Sequence, residues 1–227
     1  MGRVVMPGSP APTHDLVRLR EPMALTVDVP VPSWVEPALR RTPWVVVRRG
    51  YVRDGMMPVG VRGLARQQRF AALLAVAEVG NRLSPEDLTA SCYGIEQNRR
   101  DAVPALGALA RVAPILARRG HRWGPGGSVG FELATGIPTA TVSSDLDVIL
   151  RQNRRLERNE AFDLRAALAE AAAPARIDVM LETPRGGVSL ADLAAMPAQV
   201  LVRTPDGARL AADPWMVDAH ALLEGVS

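Results

Sequence analysis

Residues 126–150, GGSVGFELATGIPTATVSSDLDVIL, join a glycine-rich turn to two aspartates that stand one residue apart at the head of an apolar run. Val148, Ile149 and Leu150 read as a buried strand over 144–150, and successive strand side chains alternate between its faces. Asp145 and Asp147 therefore point the same way, with Cα atoms roughly 6.5–7 Å apart. Two carboxylates entering an apolar strand repel one another and are costly to bury without a cation. Mg²⁺ carrying a polyphosphate is the natural occupant. Upstream, Gly126 and Gly127 let the backbone approach a ligand closely, and Ser128 is expected to cap a short helix over 129–135. The first N–H groups of such a helix face a phosphate.

A third carboxylate follows in Ala-Arg-Ile-Asp-Val-Met-Leu, residues 175–181. This segment reads as a strand reached through a helix over 157–173, a connection that commonly lays neighbouring strands side by side. Asp178 then sits about one strand spacing, roughly 4.8 Å, from the first pair. Three carboxylates on adjacent strands can hold two metal ions about 3.5–4 Å apart, the usual device for in-line displacement at phosphorus.

All 27 basic residues are arginine, and the chain has no lysine. That excludes a Schiff-base lysine, a lysyl-adenylate and a P-loop, whose motif needs Lys before Ser or Thr. Phosphate must be held by arginine forks, backbone amides or metal. The net charge is only +3 and aromatic residues are 4%, with no alternation of bases and stacking rings, so nucleic acid is not the expected partner. No apolar run is long enough to span a membrane, and the Pro- and Gly-rich opening residues 1–14 lack the apolar core of a secretory signal. The expected location is the cytoplasm. The single cysteine, Cys92, excludes an intrachain disulfide and reads as a small core residue. His14, His121 and His220 are too scattered for a zinc set and are expected in structural or surface roles.

The fold class expected is α+β, with a small mixed N-terminal domain over 1–83 and a second domain over 84–227. Strands are expected at 16–19 and 44–48 around a proline-rich passage, followed by a helix over 64–79 with Phe70, Leu73, Leu74 and Ala77 on its buried side. Arg62, Arg66 and Arg69 are spaced i, i+4 and i+7, which aligns them on one helical face, usually a solvated one. Arg62, in a Gly-Val-Arg-Gly turn, is the better phosphate ligand of the three. Ser84-Pro85-Glu86-Asp87 is a helix start. A helical region over 101–119 should break or kink at Pro114. A helix over 189–195 and a hairpin through Thr204-Pro205-Asp206-Gly207 complete the chain. Phe131 and Leu133 are expected to pack the short helix, and Arg151, Arg154, Arg155 and Arg158 to meet phosphate, an acidic partner or solvent.

Gly-Ser followed by Asp-x-Asp and a later strand aspartate resembles the nucleotidyltransferase superfamily that includes DNA polymerase β, with the loop 136–143 expanded. The longer signature GPGGSVGFELATG…SDLD, with PVGVRGLARQQRFA at 58–71, resembles the holo-acyl-carrier-protein synthase of malonate decarboxylase, also called phosphoribosyl-dephospho-CoA transferase, over most of the chain. The resemblance implies a nucleotidyltransferase-like mixed sheet packed by helices. It also implies transfer of a phosphoribosyl-dephospho-CoA group from 2'-(5-triphosphoribosyl)-3'-dephospho-CoA to a serine of an apo acyl carrier protein, with release of pyrophosphate. Asp145, Asp147 and Asp178 would then be catalytic and hold Mg²⁺, while Gly126, Gly127, Ser128 and Arg62 bind substrate. The nucleophile belongs to the partner, in keeping with the lack of a Ser-His-Asp set. Two rivals are a nucleotidyltransferase with another acceptor and a non-catalytic carrier-protein assembly factor.

Overall fold

The structure is a computed structural model and describes residues 10–65, 67–195 and 198–216. Arg66 and His220 lie outside the described residues.

Period-two burial organises the first half. The elements are β1 (Leu16–Leu19), β2 (Leu25–Thr26), α1 (Val35–Arg41), β3 (Trp44–Val47), β4 (Met56–Arg62), β5 (Arg69–Ala75) and β6 (Val79–Leu83). They form an antiparallel sheet of order β2-β5-β4-β3-β1-β6. Strands 16–19 and 44–47 fall where the sequence places them. The helix expected over 64–79 does not form. Phe70, Ala72 and Leu74 are buried while the residues between them are not, so β5 alternates as a strand. It pairs with β4, whose Met57, Val59 and Val61 are buried in the same rhythm. Arg62 and Arg69 are consequently cross-strand partners rather than members of one helical face, and Arg62 ends a strand rather than occupying a turn.

The second half begins with a 3₁₀ helix, Pro85–Tyr93, started by the expected signal: Ser84 and Asp87 form a reciprocal capping box with proline in the first turn. Then come α2 (Gln97–Ala102), α3 (Pro104–Arg118), β7 (Arg122–Pro125), α4 (Gly127–Thr135), β8 (Leu146–Arg151), α5 (Arg158–Ala172), β9 (Ile177–Thr183), β10 (Gly186–Ser189), α6 (Leu190–Ala194), β11 (Val200–Thr204) and β12 (Gly207–Ala211). The sheet order is β12-β11-β10-β9-β8-β7, parallel only between β8 and β9. Helix α5 is the crossover that a parallel pair requires. The expected hairpin closes with Thr204 opposite Gly207. Helix α3 runs through Pro114 without ending, because Leu106, Leu109, Val112, Ala113 and Leu116 hold its apolar face in the core. Cys92 is buried there as expected, and burial pushes its thiol up to about 11. No helix among the described residues is long and apolar enough to cross a membrane.

Several contacts fasten the halves together. Leu16, Leu88 and Phe131 form a small apolar cluster drawn from both. Asp15, fully buried, accepts hydrogen bonds from Arg82 Nε and, at 2.7 Å, from Arg151 Nη2. Arg151 Nε also donates to Glu86 at 2.8 Å, so this arginine is a structural joint rather than a phosphate or solvent contact. Glu182 on β9 is held by His14 Nε2 at 2.8 Å and by Arg49 Nη2. Burial alone would raise the Glu182 carboxyl, but these two partners more than reverse that and hold it below the ordinary value. Removing one partner of a buried ion pair costs about 3–5 kcal/mol. Asp15→Ala should therefore lower the unfolding free energy by about 3 kcal/mol, read as an earlier urea midpoint; an unchanged midpoint would show that the joint does not hold the halves.

Candidate functional site

β8 and β9 begin side by side, and in their parallel register Asp147 is the partner of Asp178. The strand–helix–strand segment thus brings the carboxylates to adjacent positions. Asp145 lies just before β8, and Asp145, Asp147 and Asp178 line one cavity of about 940 Å³. Arg62, Gly127 and Ser128 line the same cavity. Gly126 stands behind it as the N-cap residue of α4, with its N–H donating to Asp147 O at 2.9 Å.

Ser128 is not the helix cap. It lies in the first turn, buried, and its carbonyl accepts from Thr139 Oγ1 at 3.0 Å. Glycine is required one residue earlier. Gly127 has φ +55°, and a Cβ there would come within 1.7 Å of Asp147 Oδ2. The missing side chain lets the carboxylate lie against the opening turn of α4, whose N–H groups carry partial positive charge.

The rest of the glycine signature builds the wall opposite. Helix α4 stops at Gly136, in the left-handed conformation at φ +71°. Glu132 then accepts from Thr139 N at 2.9 Å, Ala140 N at 2.8 Å and both Nε and Nη2 of Arg99. The expanded loop is folded back over α4 by these bonds and delivers Thr139, Thr141, Ser143 and Ser144 to the cavity. Phe131 packs as expected, but it also lies under the Arg62 guanidinium, 5.9 Å from ring centroid to Cζ. Burial first, and then the Arg69 cation, pull the Arg62 guanidinium down to about 10, against the opposing pull of Asp147. Arg62 Nε is buried without a hydrogen-bond partner.

Arg48, Arg69, Arg203 and His14 also line the cavity, from both sheets. Sequence reading missed Arg48 and Arg203 and put Arg69 on a helix. Only Arg69 had a usable signal, the alternation of Phe70, Ala72 and Leu74 beside it. His14, expected in a structural or surface role, fills the structural one through Glu182 while still reaching the cavity. Arg154 and Arg155 face Glu160 and Asp213 at the surface, away from this site. Arginines facing carboxylates beside a helix start suit a polyanionic substrate accompanied by a cation.

Among the described residues no three His, Cys, Asp or Glu side chains form a group that could hold a metal ion. Mg²⁺ seldom uses such a cage; it binds through one or two carboxylates together with substrate phosphates. The donors at Asp145 and Asp147 fit that mode.

A transferase acting on a phosphorylated substrate is the class that such a cavity fits. The family described as phosphoribosyl-dephospho-CoA transferase MdcG matches through its N-terminal domain at residues 12–85 and its C-terminal domain at residues 66–214. The phosphoribosyl-dephospho-CoA transferase of Pseudomonas putida is 41% identical over 208 residues, covering 92% of this chain and 97% of the relative. That of Azotobacter vinelandii is 42% identical over 194 residues, covering 83% and 88%, and that of Pseudomonas aeruginosa 37% over 204 residues, covering 90% and 93%. No solved structure matches. The chain belongs to the phosphoribosyl-dephospho-CoA transferase family.

Gly127→Ala tests the approach of α4 to Asp147. The left-handed backbone alone costs about 1–2 kcal/mol, and the methyl group must displace the carboxylate. Transfer should fall by at least about tenfold while thermal unfolding shifts by only a few degrees; full activity would show that Asp147 need not lie against the helix.

Proposed function

We propose that this chain transfers a phosphoribosyl-dephospho-CoA group from 2'-(5-triphosphoribosyl)-3'-dephospho-CoA to a serine of the apo acyl carrier protein of malonate decarboxylase, releasing pyrophosphate. The observation that carries this reading is the shared cavity of Asp145, Asp147 and Asp178 with Gly127 and Arg62. In the reaction the serine oxygen bonds to the α-phosphorus, its proton departs, and the bond from that phosphorus to the bridging oxygen breaks. Both remaining phosphates leave together.

Asp145 and Asp147 would hold Mg²⁺, which when bound neutralises charge building on the phosphate oxygens. The opening turn of α4 at Gly127 and Ser128 directs N–H groups toward the leaving phosphates. Arg62 faces Asp147 across the cavity and adds a positive charge whose Nε has no protein partner to give up. Asp178 is exposed, which suits a group that takes the proton of an incoming protein hydroxyl, directly or through water. Membership in the wider nucleotidyltransferase superfamily, division into domains at 1–83 and 84–227, and a cytoplasmic setting belong to the same proposal.

Purified protein, Mg²⁺, the triphosphate precursor and apo carrier protein should together raise the mass of the carrier by one prosthetic group. An unchanged carrier, under conditions where a related transferase modifies it, ends the assignment. Asp145→Asn and Asp147→Asn should each slow transfer by on the order of 100-fold or more, since carboxylate–metal contacts supply several kcal/mol. Chelation should abolish transfer and added Mg²⁺ restore it; transfer undiminished in chelator would remove the metal.

A further inference from the structure

Beside the large cavity is a second, smaller cleft that the phosphate chemistry does not use. It measures about 150 Å³ and is bounded by α1, the turn from β4 to β5, and α4 with its following loop. Arg62, Leu64 and Thr139 line both spaces, so the cleft adjoins the cavity along a common wall. Two aromatic rings, Trp34 and Phe131, enter its lining. Gly63 lets the indole come close: a Cβ there would lie 2.8 Å from Trp34 Cε3. The charged groups of the cleft are Arg41 and Arg62, and none of its lining residues is acidic. Gln68 contributes an amide whose Oε1 is committed to Ala65 N–H at 3.0 Å.

Aromatic faces, a guanidinium already stacked on one of them, and donors in excess of acceptors are the features that recognise a planar, electron-rich nitrogen heterocycle. A flexible saturated chain has no π face to use them. We propose that this cleft is a purine subsite and that it takes the adenine ring of the dephospho-CoA moiety, with Arg62 spanning ring and phosphate. This rests on the transferase reading above. The adenine is tied through its ribose to the triphosphate-bearing sugar, so a ring held in the cleft leaves the phosphates in the adjoining cavity. Trp34 therefore acts in substrate positioning, and Phe131 acts through the Arg62 guanidinium that it supports.

The test is calorimetric binding of three probes: 3'-dephospho-CoA, 4'-phosphopantetheine, which lacks the adenosine, and inorganic tripolyphosphate. Each is titrated into the unaltered protein, Trp34→Ala, which removes one aromatic face, and Ala38→Phe, which keeps Trp34 but fills the cleft. Near-ultraviolet circular dichroism checks that each variant is folded. A stacking face is worth about tenfold or more in affinity. Dephospho-CoA should bind both variants at least that much more weakly, with phosphopantetheine and tripolyphosphate unchanged. Unchanged dephospho-CoA affinity in the folded variants would overturn the subsite and leave the transferase reading standing. So would selective loss of phosphopantetheine binding, which would give the cleft to the other end of the substrate. If the unaltered protein binds no dephospho-CoA at all, the subsite is overturned, and the mass of the carrier decides the transferase reading separately.

Discussion

Everything in the cavity depends on how Asp15 joins the two sheets. Its carboxylate is fully buried and takes one arginine from each side, Arg82 from β6 and Arg151 from β8. Burial raises the Asp15 carboxyl more than the two arginines lower it. An ion pair of that kind adds little net stability and instead fixes orientation, because a displaced arginine leaves a charge stranded in the interior. Asp147 and Arg151 stand four residues apart on one strand and so share a face. The strand that offers a carboxylate to the cavity therefore also sets the distance to the sheet that supplies Arg48, Arg62 and Arg69.

Glu132 does for the loop what Asp15 does for the sheets. Its carboxylate accepts from two consecutive backbone N–H groups and from Arg99, turning the residues after Gly136 into a wall with a defined position. A loop closed only by backbone bonds would leave Thr139 and Thr141 free to move away from Ser128. The acidic residue in Phe-Glu-Leu-Ala-Thr-Gly thus has a structural task even though it does not line the cavity.

The second half of the fold was legible where one signal stood alone: the apolar run after Asp147, the Ser-Pro-Glu-Asp cap, and the Thr-Pro-Asp-Gly turn each allow a single local structure. The strand–helix–strand reading of 144–181 placed Asp178 alongside Asp147, and the structure makes that pairing parallel. The first half was misread where two periodicities overlap. In Arg-Phe-Ala-Ala-Leu-Leu-Ala alanine suits either a helix or a strand, and the choice was made by β4, which offers Met57, Val59 and Val61 across the sheet. Partners distant in sequence decide such cases, and no local window contains them. Ser128 was misread for a related reason, since the approach of Asp147 to Gly127 moves the start of the helix forward. The cleft beside Trp34 had no local signal, because α1, β4, β5 and α4 each contribute part of it.

The pairing of Asp147 with Asp178 also has a meaning in time. The two residues are separated by the whole of α5, and parallel strands so joined form only after the intervening chain has been made and folded back. During synthesis the glycine turn, α4 and the first two aspartates all exist before the third carboxylate has a strand to stand on. A nascent chain halted between β8 and β9 has a helix start and a pair of repelling charges, but no complete carboxylate set. The set is thus completed by β9, after the glycine turn, α4 and β8 have been made.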